Sequence, residues 1–250
     1  MKRFVACIVV FFVFILIEIP LICQEVELKE IVKKAKEQQR KINQEIKDAV
    51  FDAKFVYKEF GKKDEIKKDV IGYRHIYKKQ DGRQFEEYLR LIVNGKELTG
   101  EEFDAEVEEW KDNSRSDDII MPLSPEGEGA YEFSLLGSEV VKDIPVWVVE
   151  FKSKEKKEDY INGKGYISKD TYDIIKAEFE PSKKSRVVKN IDLSMDYKHT
   201  QGYWMPAKFK MDLTIKISFI FYLNIKIEDE YSNYKFNTGI VDSVFKDQEE

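Results

Sequence analysis

Two histidines, His75 and His199, supply every imidazole in this 250-residue chain. Each falls within a predicted strand among charged neighbours, the setting of a surface or edge histidine rather than of a general base. The two cysteines, Cys7 and Cys23, lie close to the amino terminus. So few imidazoles and thiols leave zinc without its usual ligands. No His-Glu-x-x-His, Gly-x-Ser-x-Gly, P-loop or Cys-x-x-Cys pattern occurs. Carboxylates are so abundant that a pair for glycoside chemistry can always be found, and none is therefore informative. The acidic stretch 101–109 lacks the alternating Asp/Asn ligands and the Gly of a calcium loop, and reads as a solvated helix face. These residues point to no catalytic group, no metal and no cofactor. The chain reads as a non-enzyme, with an unrecognised hydrolase as the third functional reading.

What remains is apolar. Phe209, Met211, Leu213, Ile215, Ile217, Phe219, Phe221, Leu223, Ile225 and Ile227 occupy every odd position of one run, with mostly Lys, Asp, Thr, Ser and Asn between them. A period of two is the strand period, so one face of this ribbon is apolar and the other wet. At ~3.3 Å per residue the run would reach roughly 60 Å, too long for one ordinary strand. It is a long hairpin or a strongly bent strand. Between Ile217 and Leu223 apolar residues occupy both parities, which places the turn there. Its tip, with Ile217, Phe219, Ile220 and Phe221, suits contact with a membrane or a partner; a doubly buried strand centre fits equally well.

The elements around that ribbon follow from periodicity. Leu28, Val32, Ala35, Ile42, Ile46 and Ala49 recur at three- and four-residue steps, predicting one long amphipathic helix over about 25–48 with a narrow apolar stripe. The period then switches to two through Phe51, Phe55 and Tyr57. Gln80-Asp81-Gly82 and Asn94-Gly95 mark tight turns. Thr99 and Glu102 have capping-box spacing before a short helix whose Phe103, Val107 and Trp110 share a face. From Tyr131 onward, short strands separated by turns near Gly137, Asp143, 154–157, 168–170, 182–185 and 201–202 predict an antiparallel meander, as a sheet, sandwich or barrel. The polar stretch 112–118 reads as a loop.

About ten strands offer more apolar face than two helices can cover, since a helix spans ~10 Å and each strand adds ~4.8 Å. A sheet that curls and traps a cavity under a helical lid resolves the mismatch. With inward parity assigned from apolarity, the candidate cavity wall is Phe51, Phe55, Trp147, Phe151, Phe209, Met211, Leu213 and Ile215. A transmembrane β-barrel also alternates, but the helices, the Asp-Gln-Glu-Glu terminus and strands carrying charge on both faces argue against it.

The amino terminus opens Met-Lys-Arg and runs apolar from Phe4 to Ile17. As a helix this run spans ~21 Å, short of the ~30 Å hydrocarbon core, and with Pro20 it reads as a secretory signal peptide over 1–23. Cleavage after Cys23 would give a periplasmic or secreted chain, 24–250, forming one domain without cysteine. Lipid anchoring through Cys23 and an uncleaved anchor are the alternatives. The net charge of −6 argues against a nucleic-acid partner.

The order of these features resembles the LolA/LolB-like family of outer-membrane lipoprotein-sorting and periplasmic lipid-carrier proteins. The resemblance rests on the amino-terminal helix running into 49–57, on Tyr131-Glu132-Phe133, and on Val146-Trp147-Val148-Val149. It also rests on the hairpin 163–175, on Gly202-Tyr203-Trp204-Met205-Pro206 and on Tyr231-Ser232-Asn233-Tyr234. It implies a mainly β fold, a half-open antiparallel β-barrel of about eleven strands lidded by the amino-terminal helix and a short second helix. It implies a carrier that holds a lipid or a lipoprotein acyl chain in an apolar cavity, without bond making, and that meets a partner protein at the inner or outer membrane. A structural or adaptor protein of the cell envelope with the same fold and no ligand is the alternative. The chain departs from the family in the insertion-like region 99–118, and no residue among Arg40, Arg74, Arg83 and Arg90 matches the family's lid-latching arginine.

Overall fold

The computed structural model describes residues 27–61, 64–113, 119–216 and 222–248. Helix α1 (27–45) precedes β1 (Asp48–Phe60), β2 (Ile66–Lys79), β3 (Gln84–Val93) and the short β4 (Lys96–Glu97). Helix α2 (Glu101–Asn113) follows, then β5 (Tyr131–Val141), β6 (Ile144–Ser153), β7 (Ile161–Ser168) and β8 (Ile174–Pro181). The chain continues through β9 (Val188–Thr200), β10 (Tyr203–Lys216) and β11 (Tyr222–Phe236) to a 3-10 turn at Asp242–Gln248.

One sheet of eleven strands contains them all, in the order β4-β3-β2-β1-β11-β10-β9-β8-β7-β6-β5. Neighbours are sequential hairpins except at β1 and β11, where the first and last strands pair antiparallel, Phe55 opposite Asp229. The edges, β4 and β5, do not pair, so the sheet is open. This is the half-open, mainly β architecture with two helices that the family resemblance implies.

The alternating ribbon is a hairpin. Lys216 pairs with Tyr222, Ile215 with Leu223, Leu213 with Ile225 and Met211 with Ile227, so the chain reverses without changing parity and both arms present odd residues to one face. The tip residues Ile217, Phe219, Ile220 and Phe221 lie outside the described residues, as do 1–26 with the signal peptide and Cys23.

Turn chemistry is local. Asn94 and Gly95 (φ 51° and 80°), Lys142 and Asp143 (51° and 64°), and Gln201 and Gly202 (50° and 93°) carry the paired positive φ of two-residue hairpins. Gly137, expected at a turn, sits instead inside β5 at a break in register between Leu135 and Gly137; the turn comes at Lys142-Asp143. Tyr172 adopts φ 61° in the turn after β7, so that turn extends past 168–170 and β8 starts only at Ile174. Helix α2 begins at Glu101, one residue after the start that a Thr99 cap would give, and the Glu102 carboxylate takes a hydrogen bond from Lys96 Nζ (2.6 Å).

Both helices lie on the same face of the sheet. On α1, Ile31 and Ala35 are buried against Val149 and Ile167 of β6 and β7. On α2, Val107, Phe103 and Trp110 pack on Phe55, Val70, Tyr88 and Leu91 of β1–β3. The Phe55 ring lies over Gly72 directly opposite on β2, where an added Cβ would sit 2.0 Å from the ring. Here an aromatic covers a strand glycine, and the glycine in turn admits the aromatic.

Candidate functional site

A cavity of about 580 Å³ lies between the second half of α1 and the sheet, within the ~300–1,000 Å³ range of ligand pockets. Its floor takes Phe51 from β1, Phe151 from β6, Gly165 and Ile167 from β7, and Ala177 and Phe179 from β8. Tyr197, Trp204, Pro206 and Tyr234 close one side, and the loop Met121–Pro125 helps to roof it. Strands β1 and β6 stand six strand spacings apart, ~29 Å in a flat sheet, yet both line this one cavity. The sheet therefore curls around it.

The empty space has a local cause. Val149, Gly165 and Ala177 are paired across β6, β7 and β8 in one row facing α1. Gly165 and Ala177 contribute almost no side chain, and a Cβ built on Gly165 meets no atom within 4 Å. Helix α1 contributes Ile42 and Ile46 to the lining with polar Gln39 and Asn43, and Ile46 packs on Phe51, Ile76 and Tyr234 rather than on this row, so the roof does not fill the gap.

The helix is fastened at both ends, and Ile42 is buried between them. Its first half is anchored by Ile31 and Ala35 and by hydrogen bonds from Lys34 Nζ to the Tyr172 hydroxyl (3.2 Å) and from Gln38 Nε2 to Asp173 Oδ1 (3.0 Å). Its end is held by Gln80 Nε2 donating to the Asn43 carbonyl and Asn237 Nδ2 donating to the Glu45 carbonyl (3.0 Å). Exposed bonds of this kind contribute only about 0.5–1.5 kcal/mol each.

The polar groups of the lining differ in kind. The Asp48 carboxylate is buried and already satisfied: Thr238 N and Oγ1 donate to one oxygen and Gly239 N to the other. Burial pushes its pKa up, but the hydrogen bonds from Thr238, Gly239 and Ile240 outweigh it and hold the carboxyl below its ordinary value. The Tyr234 hydroxyl donates to the Pro206 carbonyl (2.8 Å). Burial alone pushes the Tyr197 phenol up to about 12, so it stays a neutral donor. Arg40, Lys78 and Lys79 add three cations at the rim.

The sequence-predicted wall residues divide. Phe51 and Phe151 line the cavity; Phe51 is buried and stacks on Tyr234 with ring centroids 4.7 Å apart. Phe55 lies under α2, its ring 4.9 Å from Trp110. Trp147 is half-buried beside the first half of α1, stacked on Tyr172 at 5.3 Å. Phe209, Met211, Leu213 and Ile215 are half-buried along β10 on the helix-bearing side of the sheet and do not line this cavity's helix-roofed part. Phe133, Gly165, Ala177, Tyr197 and Trp204 also line it, outside the wall that apolar parity predicts. For Gly165 and Ala177 the signal was smallness in a strand, which an apolarity criterion passes over.

The helix-bearing face carries a buried ion group. Arg74 bonds to Glu86 (2.6 Å) and Asp229 (3.1 Å), with its guanidinium 5.2 Å from the Phe55 ring centroid. Burial alone would lower the Arg74 pKa, but Glu86 and Asp229 outweigh it and raise it. Burial raises that of Asp229 despite Arg74 and the Tyr231 hydroxyl. Among the described residues Arg74 Nε and Asp229 Oδ1 have no hydrogen-bond partner. His75 Nδ1 lies 2.6 Å from Asp52 Oδ1; the register places both on the opposite face. His199 meets the edge of Trp204 at 5.9 Å. Among the described residues no three His, Cys, Asp or Glu side chains gather as a metal site, and no helix is long and apolar enough to cross a membrane.

The model of a family of unknown function, DUF5686, matches residues 26–234. The comparison with curated proteins finds no match. Solved structures similar to this chain include a DUF1329 family protein from Desulfovibrio piger, at 12% identity and TM-score 0.44 over 87% of this chain and 96% of that one. They include a LolA superfamily protein from Nitrosomonas europaea, at 14% and 0.36 over 87% and 96%. Lipoprotein LppX of Mycobacterium tuberculosis is also similar, at 10% and 0.31 over 85% and 98%.

Proposed function

We propose, for a chain that belongs to the DUF5686 family of unknown function, that it is a carrier or binding protein holding a lipid or a lipoprotein acyl chain in the cavity under α1. The observation that supports this is the cavity itself, about 580 Å³ with a largely apolar lining, roofed by the second half of α1. Each methylene buried there contributes ~0.8 kcal/mol, so a chain is held firmly without polar contact or bond making. Loading and release proceed by displacement of the second half of α1 about its anchored first half. In this reading the chain acts in the cell envelope as one domain, 24–250, after removal of the leader 1–23, and exchanges its cargo with a partner protein at a membrane.

Titration of the purified chain with a fluorescent fatty acid tests the reading. Saturable binding at one site, with blue-shifted emission, is the expected outcome. A probe that stays in its aqueous emission state at micromolar protein overturns it.

A further inference from the structure

Charges on the rim of the cavity are unequal in a way that bears on the ligand's head. Arg40, Lys78 and Lys79 stand among the lining residues, against a single carboxylate, Asp48. Both oxygens of that carboxylate are taken up by Thr238 and Gly239. Lys79 is engaged by Asp242, and Arg40 lies 3.7 Å from Glu128, a loose and exposed pair. Lys78 is exposed, its register partner Ala49 lies on the buried side of β1, and its side chain has no ion pair or hydrogen bond among the described residues. A cavity that is apolar within and carries an unpaired cation at its mouth is complementary to one class of molecule.

We infer that the ligand is an anionic amphiphile, its single chain under α1 and its carboxylate or phosphate head at Lys78 and Arg40. The inference rests on the carrier reading and specifies the substrate class of the same site. Lys78 supplies a free ammonium, and Arg40 exchanges its loose partner Glu128 for the head, a charge-assisted contact of the stronger kind. Tyr197, a neutral donor inside the lining, accommodates a polar group on the chain without adding charge.

Isothermal titration of the full chain with decanoate, decanol and decyltrimethylammonium separates head from tail. Decanoate is expected to bind about tenfold tighter than decanol, and the cation weakest of the three. The preference for decanoate falls as salt is raised, as exposed pairing requires. The double variant Arg40→Gln/Lys78→Gln removes the preference, bringing decanoate to the affinity that the same variant shows for decanol. Equal affinities in the unmodified chain overturn the assignment of the head while leaving the carrier reading in place. So does a preference that survives the double variant, or acetate competing as well as decanoate. Failure of all three compounds to bind overturns the carrier reading with it.

Discussion

Gly165→Leu tests whether the space under α1 is a binding cavity or a defect of packing. Gly165 lies on the face of β7 turned to α1, between Val149 and Ala177. A Cβ there meets no atom within 4 Å, and the residue is not among those with positive φ. The new side chain therefore enters the cavity without backbone strain. Its four carbons displace about four methylenes of a bound chain, at ~0.8 kcal/mol each. The loss of about 3 kcal/mol is roughly two orders of magnitude in affinity. Stability moves the other way, because a strand glycine costs about 0.5–1 kcal/mol relative to alanine and the new side chain gains cover. Paired measurements suffice: fatty-acid titration for affinity and urea unfolding for stability, with Gly165→Ala as the mild control. Unchanged affinity, or a destabilisation of the ~1–3 kcal/mol typical of overpacking, would refute the reasoning.

Ile31→Ala removes the buried anchor of α1 (2% exposed) and is expected to lower stability by about 2–5 kcal/mol; hydrogen exchange should show α1 opening ahead of the sheet. Gly72→Ala drives a methyl group into the Phe55 ring, so a loss of about 1–3 kcal/mol in urea unfolding, with changed Trp110 fluorescence, checks that packing. Asp229 has its pKa raised, chiefly by burial, so the folded chain holds the proton more tightly than the unfolded one. Its contribution is fully present below about pH 3.8 and is lost as pH rises through the folded value. Asp229→Asn should remove that part of the pH dependence, and unfolding midpoints compared across pH 3.5–7 would show it; parallel curves for the two proteins count against it. Asp48 has its pKa lowered, so its contribution is present above the ordinary carboxylate value and lost as pH falls through the lower folded one. Acidification should therefore release the segment around Thr238, visible as faster proteolysis there.

The architecture was legible because its signals are periodic. Parity along Phe209–Ile227 survives the hairpin, and the stripe on α1 meets the sheet at Ile31 and Ala35 as its spacing implies. Positive-φ pairs such as Asn94-Gly95 announce themselves by residue type. Legibility fell where the tertiary fold decides. Phe51 and Phe55 are four residues apart on the same face of β1, yet one faces the cavity and the other lies beneath α2, because the two helices cover different parts of a curled sheet. No local pattern records which helix lies above which strand. Gly165 and Ala177 were passed over because a cavity is made where side chains are missing, and apolarity marks only the walls. The capping box failed for a similar reason: α2 starts at Glu101, one residue past the start that a Thr99 cap would give, a shift its spacing does not register.

The central claim is that the space beneath α1 holds an acyl chain, and native mass spectrometry of the chain purified without detergent tests it most directly. The account predicts adducts of lipid mass on the unmodified protein, one per chain, that are depleted in Gly165→Leu. A ligand-free spectrum that stays ligand-free after incubation with fatty acid, with both proteins alike, would contradict it.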